Sequence, residues 1–311
     1  VKTRAYLIRR VMGVVPILIG ISFVSFCLIS IAPSDPAEVA LRVQEITPTP
    51  EVVALMRGEL GLDKPFFERY LFWVSNVIRG DFGKSYVNNR SVADEMAKAL
   101  PATLALVAAT LVVSLVVSVV GGVGCAVYEQ STGDLTFRGI IFWITAMPSF
   151  WAGLLLMWLF SVKLNWLPTS GMESFSSAIL PAVTLSLVYI STYFRLIRNT
   201  MIRNKRENFV FYARALGLKE STIIRRIFNN SLQSSITALG MSIPKLIAGT
   251  VIVENIFAWP GVGRLCVSAI FNRDLPIIQA YVSIMATAFV ICSLGVDILS
   301  VVIDPRLETE T

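Results

Sequence analysis

"YARALGLKESTIIRRIFNNSL" (residues 212–232) is a small, basic and polar stretch in a chain of 311 residues that is 55% hydrophobic and only 15% charged. A few turn residues suffice to join two apolar segments, so an insertion of this length and charge has a task beyond connection. It also sets the topology. Across 195–226, nine basic residues (Arg195, Arg198, Arg203, Lys205, Arg206, Arg214, Lys219, Arg225, Arg226) stand against two acidic ones, Glu207 and Glu220. Loops rich in Lys and Arg stay on the cytoplasmic side of a membrane. The same rule places the N-terminus there, through Lys2, Arg4, Arg9 and Arg10.

The composition outside this stretch is that of a membrane protein. A helix crossing a bilayer needs about 20 predominantly apolar residues. Uncharged apolar runs cover 11–34, 99–128, 139–162, 174–194 and 275–296, and a sixth, 232–257, contains Lys245 and Glu254. Six spans return the C-terminal tail to the cytoplasm. A secretory signal is the alternative for the first run, with Ser30 and Ala32 as its small residues, but the run exceeds the roughly 7–15 apolar residues of such signals. A retained anchor is therefore expected. The net charge of +6 then reports topology rather than nucleic-acid binding.

On the opposite side, 33–98 carries ten acidic and eight basic residues with prolines and aromatics. Within it "TPEVVALMRGELGL" predicts a helix that starts at Thr49-Pro50-Glu51 and stops at Gly61. A small external helical subdomain is expected. The resulting division is a tail and first span (1–32), the external subdomain (33–98), a five-helix domain (99–303) with a cytoplasmic loop at 195–232, and a tail (304–311).

Several chemistries are excluded or weak. The chain has no histidine, so imidazole metal sites, histidine bases and Ser-His-Asp triads are ruled out. Cys27, Cys125, Cys266 and Cys292 lie in or beside apolar runs without paired spacing and read as small hydrophobes. No catalytic or metal-ligating constellation is assembled. In "GDFGKSY", Gly83-Lys84-Ser85 mimics the end of a phosphate-binding loop, but the required upstream glycine position is Ile78. A turn is the better reading.

Ionisable residues inside spans are more informative, because each costs about 2.5–3.5 kcal/mol near mid-bilayer. Lys245 and Glu254 would lie on opposite faces of a continuous helix, about 13 Å apart along its axis, unless Pro244 or Gly249 breaks it. Asp297 sits near the end of the last span. Met241, Lys245, Glu254, Asn255 and Trp259 are candidates for a pathway or its gate, against plain packing. Met147, Met241 and Met285 are soft potential metal ligands, although helical methionine usually packs. After them, "ENIFAWPGVGRLCVSAIFNRDLPIIQA" holds a turn at Trp259-Pro260-Gly261 and a short apolar segment that suits an interfacial or re-entrant helix, or an ordinary loop.

In the opening stretch, Ala213 and Gly217 are four residues apart and Ala215 lies beside them, which suggests a small helix face that another surface can approach closely. Arg214, Lys219, Arg225 and Arg226 would position that surface by charge. A helix lying on the membrane is the alternative, but bulky anchors would then be expected in place of Ala and Gly.

"YARALGL" followed by "RRIFNNSL" resembles the EAA-type loop of ABC importer permeases. "SDPAE", "LGLDKPFFERYLFWVSNVIRGDFGKSY", "PATLAL", "MPSFWAGLLL", "LPTSG" and "ILPAVTLSL" extend the resemblance along nearly the whole chain, to B-type permeases of the dipeptide, oligopeptide and nickel importer family. "IVENIFAWPGVGRLCVSAIFNRDLPIIQ" is most similar to the nickel branch. The resemblance implies an all-α membrane protein with six transmembrane helices of the type I (MetI-like) permease fold in a bacterial inner membrane. It implies a second permease subunit, two cytoplasmic ATPases that bind ATP-Mg, an external substrate-binding protein, and no cofactor in this chain. Ala213, Arg214, Ala215, Gly217 and Leu218 would then contact the ATPase. Nickel or a metal chelate is the leading substrate and a di- or oligopeptide the alternative, while an ion-coupled carrier or channel is a reading of a different class. Two positions depart from the family pattern: Tyr212 stands where an acid begins the loop, and Ser234 where a proline is usual, which leaves the end of that helix open.

Overall fold

The computed structural model describes residues 2–31, 35–240 and 242–303. Among them every regular element is helical, apart from an isolated bridge between Lys84 and Ser91. The chain divides into two compact units, one running to Thr103 and including Pro260–Ile291, the other comprising Leu104–Trp259 and the residues from Cys292.

The first unit holds α1 (Lys2–Ile31), α2 (Pro36–Val43), α3 (Pro50–Glu59), α4 (Phe66–Ile78), the start of α5 (Val92–Val127), α12 (Val262–Phe271) and the first part of α13 (Leu275–Ile303). Local chemistry sets the short helices. Asp35 accepts from the Ala37 amide at 3.0 Å to cap α2, and its other oxygen holds the Arg57 guanidinium at 2.9 Å. Helix α3 starts with Thr49 and Pro50 as its sequence predicts, and Gly61 ends it at φ 65°, which lets Leu62 N–H bond back to the Arg57 carbonyl. Val92, Met96 and Ala99 of α5 pack with Val262 and Ala269 of α12 and Ile277 and Ala280 of α13. The apolar segment after Trp259-Pro260-Gly261 is thus a helix rather than a loop. Its first amide, Val262 N–H, donates to Thr103 Oγ1 at 2.9 Å. Gly83-Lys84-Ser85 leads into a turn at Tyr86–Asn88, with Lys84 in the bridge to Ser91; Ser85, 2% exposed, donates to the buried Asp274, and the Tyr86 amide donates to the same carboxyl at 3.1 Å.

In the second unit α8 (Ile179–Lys205) packs against α6 (Thr132–Ala146), α7 (Ser149–Met157), α10 (Glu220–Gly240) and α11 (Ile243–Ile256), while α9 (Asn208–Ala215) joins α10. Small residues let the helices approach. A methyl on Gly122 of α5 would meet Ile197 Cγ2 at 3.0 Å, and one on Gly153 of α7 would meet Thr184 Cγ2 at 2.9 Å.

Among the described residues, four helical stretches are long and apolar enough to cross a membrane: Met12–Ile31, Val92–Val127, Phe175–Lys205 and Leu275–Val296. The run at 139–162 is not one straight span. It is divided between α6 and α7, which bend by 105°. Pro148 lacks an N–H and pushes Met147 into extended backbone (φ −87°, ψ 137°), which ends α6. Counted as one broken span, the pair makes five. The second span starts earlier than its apolar run, at Val92, and continues through Pro101. The run at 232–257 is shared by α10 and α11, with Met241 between them outside the described residues. Helix α10 runs on to Gly240, so Ser234 lies inside it and does not mark its end.

Candidate functional site

The basic stretch is mostly helix. Arg195, Arg198, Arg203 and Lys205 belong to the end of α8, and α9 and α10 follow. A local core holds this group together: Ile197 and Met201 of α8, Val210 and Ala213 of α9, and Ile223 and Ile227 of α10, with Ala126 of α5. Polar contacts reinforce it. Asn204 Nδ2 donates to Ser231 Oγ at 2.9 Å, and Lys205 Nζ reaches the Ala126 and Val127 carbonyls at 3.5 Å, where it complements the C-terminal end of α5.

Part of the charge excess is structural. Arg198 grips Asp134 with two hydrogen bonds, Nε to Oδ1 at 2.8 Å and Nη2 to Oδ2 at 2.6 Å. Asp134 sits in the first turn of α6, where its amide donates to the N-cap Ser131 Oγ and its side chain accepts from the Gln130 amide. Its side chain is fully enclosed. A planar guanidinium fork meeting a carboxylate this way fixes orientation as well as charge.

The expected small helix face does not form. Helix α9 ends at Ala215, and Gly217 lies beyond it at φ 70°. Gly217 N–H donates to the Arg214 carbonyl and Leu218 N–H to the Ala213 carbonyl, a Schellman ending in which glycine takes the left-handed position. Ala213 is 3% exposed and faces its own chain, and Leu218 packs against the same core. Arg214 is exposed and paired with Glu220 at 2.9 Å; Ala215 is exposed. What faces outward instead is Phe211 (71% exposed), Tyr212 (64%) and Leu216 (79%), with the two rings 5.9 Å apart. Sequence reasoning missed Phe211 and Leu216. Their signal is that "FVFYARAL" has more large apolar residues than one buried stripe of a two-turn helix can absorb.

The pathway candidates separate by burial. Lys245 and Glu254 fall on one continuous helix, α11, with Pro244 in its first turn and Gly249 inside it without a break. Lys245 is exposed, whereas Glu254 is fully buried. Asn255 is exposed and bonds the Val251 carbonyl of its own helix at 2.8 Å. Trp259 and Phe257 are buried in the turn that ends α11, where Trp259 N–H donates to the Glu254 carbonyl at 2.8 Å and Gly171 N–H to the Phe257 carbonyl at 3.0 Å. Met241 lies outside the described residues, and nothing is assigned to it.

Two family descriptions match the chain: "Binding-protein-dependent transport system inner membrane component" over residues 118–309, and the N-terminal region of such components over residues 4–107. The chain is 36% identical to the metal-staphylopine import system permease protein CntB of Staphylococcus aureus (strain NCTC 8325 / PS 47), covering 97% of each chain. It is 33% identical to the glutathione transport system permease protein GsiC of Escherichia coli (strain K12), covering 97% of this chain and 98% of that one. Among solved structures it resembles a chain of the inward-facing MetNI methionine ABC transporter, with a TM-score of 0.57 over 67% of this chain and 95% of that chain. At 13% identity that likeness is one of fold.

Proposed function

The chain belongs to the binding-protein-dependent transport system inner membrane components, and from that premise we propose that it forms part of the path by which a metal chelate enters the cell. It is the permease subunit of an ABC importer. It is not itself catalytic, and ATP is hydrolysed by partner ATPases. The observation that carries the substrate reading is the 36% identity, along essentially the full length, to a permease of metal-staphylopine import. A chelate also fits a chain without histidine, since the cargo brings its own ligands to the metal. The second reading, a peptide such as glutathione, is favoured by the 33% identity to the glutathione permease.

Six spans, cytoplasmic termini, an external 33–98 segment and a paired, non-identical permease complete the proposal. ATP-Mg sits on the two ATPases, and an external binding protein delivers the substrate. The ATPases engage the α9–α10 segment. Phe211, Tyr212 and Leu216 supply the apolar contact, Arg214 supplies charge, and Ala215 and Gly217 allow close approach, while Ala213 and Leu218 hold the segment from behind. Glu254 and Trp259 stiffen the helix end beside the pathway, and Lys245 and Asn255 contact the pathway or the second subunit. In the assembled transporter, Leu216→Asp should leave this chain abundant but cut ATP-driven uptake by about tenfold or more, as expected when a central apolar contact worth about 2 kcal/mol is lost. Unchanged uptake and unchanged ATPase co-purification would reject the docking assignment. The ligand retained by the binding protein purified with this chain discriminates between chelate and peptide.

A further inference from the structure

Helix α4, sequence FFERYLFWVSNVI, has two apolar stripes rather than one. Phe66, Tyr70 and Trp73 form the first, which crosses α1: Phe66 meets Phe23 and Phe26 edge-on at 5.9 and 5.3 Å, Tyr70 meets the same two rings, and Trp73 lies 5.8 Å from Phe26. Tyr70 Oη and Ser22 Oγ share a hydrogen bond of 2.8 Å. The second stripe, Phe67, Leu71, Val74 and Ile78, follows the i, i+4, i+7, i+11 spacing of one helix face. Phe67, Leu71 and Ile78 are 68%, 66% and 79% exposed. Water is a poor solvent for a surface of that size and regularity.

The contact with α1 identifies what covers it. Ser22, Phe23 and Phe26 all lie inside the apolar stretch Met12–Ile31. Phe26 is five residues and Ser22 nine residues before its end, which at 1.5 Å per residue puts the contact about 8–14 Å beneath that end. An amphipathic helix held there lies at the depth of the headgroup–acyl boundary or below it. Val24 and Leu28 of α1 are exposed as well, and the Phe67 ring stacks on Phe23 of the same helix. Lys64 lies with its ammonium 5.3 Å from the centre of the Phe72 ring, and Arg69 with its guanidinium 5.8 Å from that of Phe26, so apolar bodies and cationic tips alternate as they do at a membrane interface.

We propose that α4 is embedded in the leaflet at the C-terminal end of α1, with the Phe67–Leu71–Val74–Ile78 face against lipid acyl chains, and so is not part of a water-exposed subdomain. The proposal rests on the reading of α1 as a membrane span. The test uses the assembled transporter in proteoliposomes, with the native cysteines replaced by alanine and a nitroxide on Leu71→Cys, Val24→Cys or Glu51→Cys. Collisions with oxygen, which partitions into lipid, are compared with collisions with chromium oxalate, which stays in water. Position 71 should match position 24, with oxygen favoured severalfold, and position 51 should show the reverse. Chromium oxalate dominating at 71 alone would place α4 in water and overturn the proposal. Low collision rates with both reagents at 71 would mean a protein subunit covers the face, which also overturns it. Chromium oxalate dominating at 24 would instead remove the span reading of α1 and the proposal with it.

Discussion

Asp134 and Arg198 show how single residues hold the basic segment in place. A carboxylate enclosed by protein is tolerated because the guanidinium supplies two short bonds, and removing one partner leaves the other buried without compensation. Asp134→Ala should therefore destabilise the protein by about 3–5 kcal/mol, read as a fall in unfolding temperature in detergent. Asp134→Leu combined with Arg198→Met should recover most of the loss, which a purely functional role of either residue does not predict. Tyr86 offers a pH-dependent counterpart outside the spans. Burial first, and Asp274 second, push its phenol up to about 12 from 10.0. The unfolded chain thus loses this proton before the native state does. The stabilising contribution is complete below pH 10 and vanishes as the pH rises to about 12. Tyr86→Phe should flatten the loss of stability across that window and leave stability at pH 7–9 little changed, as unfolding curves taken at each pH will show.

At the scale of elements, small residues set how closely the helices approach one another. Gly153 of α7 stands against Thr184 of α8, and an added methyl at 2.9 Å from Thr184 Cγ2 needs one helix to yield. Gly153→Ala should cost about 1–3 kcal/mol through overpacking, and Thr184→Ser, which removes the opposing methyl, should relieve it; thermal unfolding of the single and double variants checks this. Thr103→Val should cost about 1–3 kcal/mol by taking away the acceptor of the buried Val262 amide at the start of α12. Elements with strong local signals were legible in the sequence. Thr49-Pro50 and Gly61 mark the ends of α3, and the turn at Pro260-Gly261 marks the start of α12. The small-face reading of 213–217 failed because four-residue spacing implies a shared face only while the helix continues. Gly217 ends it, and nothing in the spacing distinguishes a helical glycine from a left-handed one. The 105° bend between α6 and α7 was hidden for a similar reason: hydropathy registers that 139–162 is apolar, whereas Pro148 decides that it is not straight.

For the whole molecule, the apolar runs were enough to read a multi-pass membrane protein, since they follow from the bilayer as a solvent, whereas the permease reading came from the resemblance of "YARALGL" and its companion motifs to importer permeases. Substrate identity was not legible in the same way. The energy for uptake comes from ATP hydrolysed by partner ATPases. This distinguishes the importer from an ion-coupled carrier, which Lys245 and Glu254 would otherwise suit. A carrier needs only itself and an ion gradient, so this chain alone in proteoliposomes would accumulate substrate when a proton or sodium gradient is imposed. An importer permease needs its ATPases and the binding protein. We expect no uptake by the chain alone under either gradient, and ATP-dependent uptake once all partners are present. A metal supplied as its chelate should be taken up well above the free ion, measured with radiolabelled metal at equal total concentration. Gradient-driven uptake by the isolated chain would reject the importer mechanism; ATP-driven uptake of the free ion at the rate of the chelate would keep that mechanism and reject the chelate as substrate.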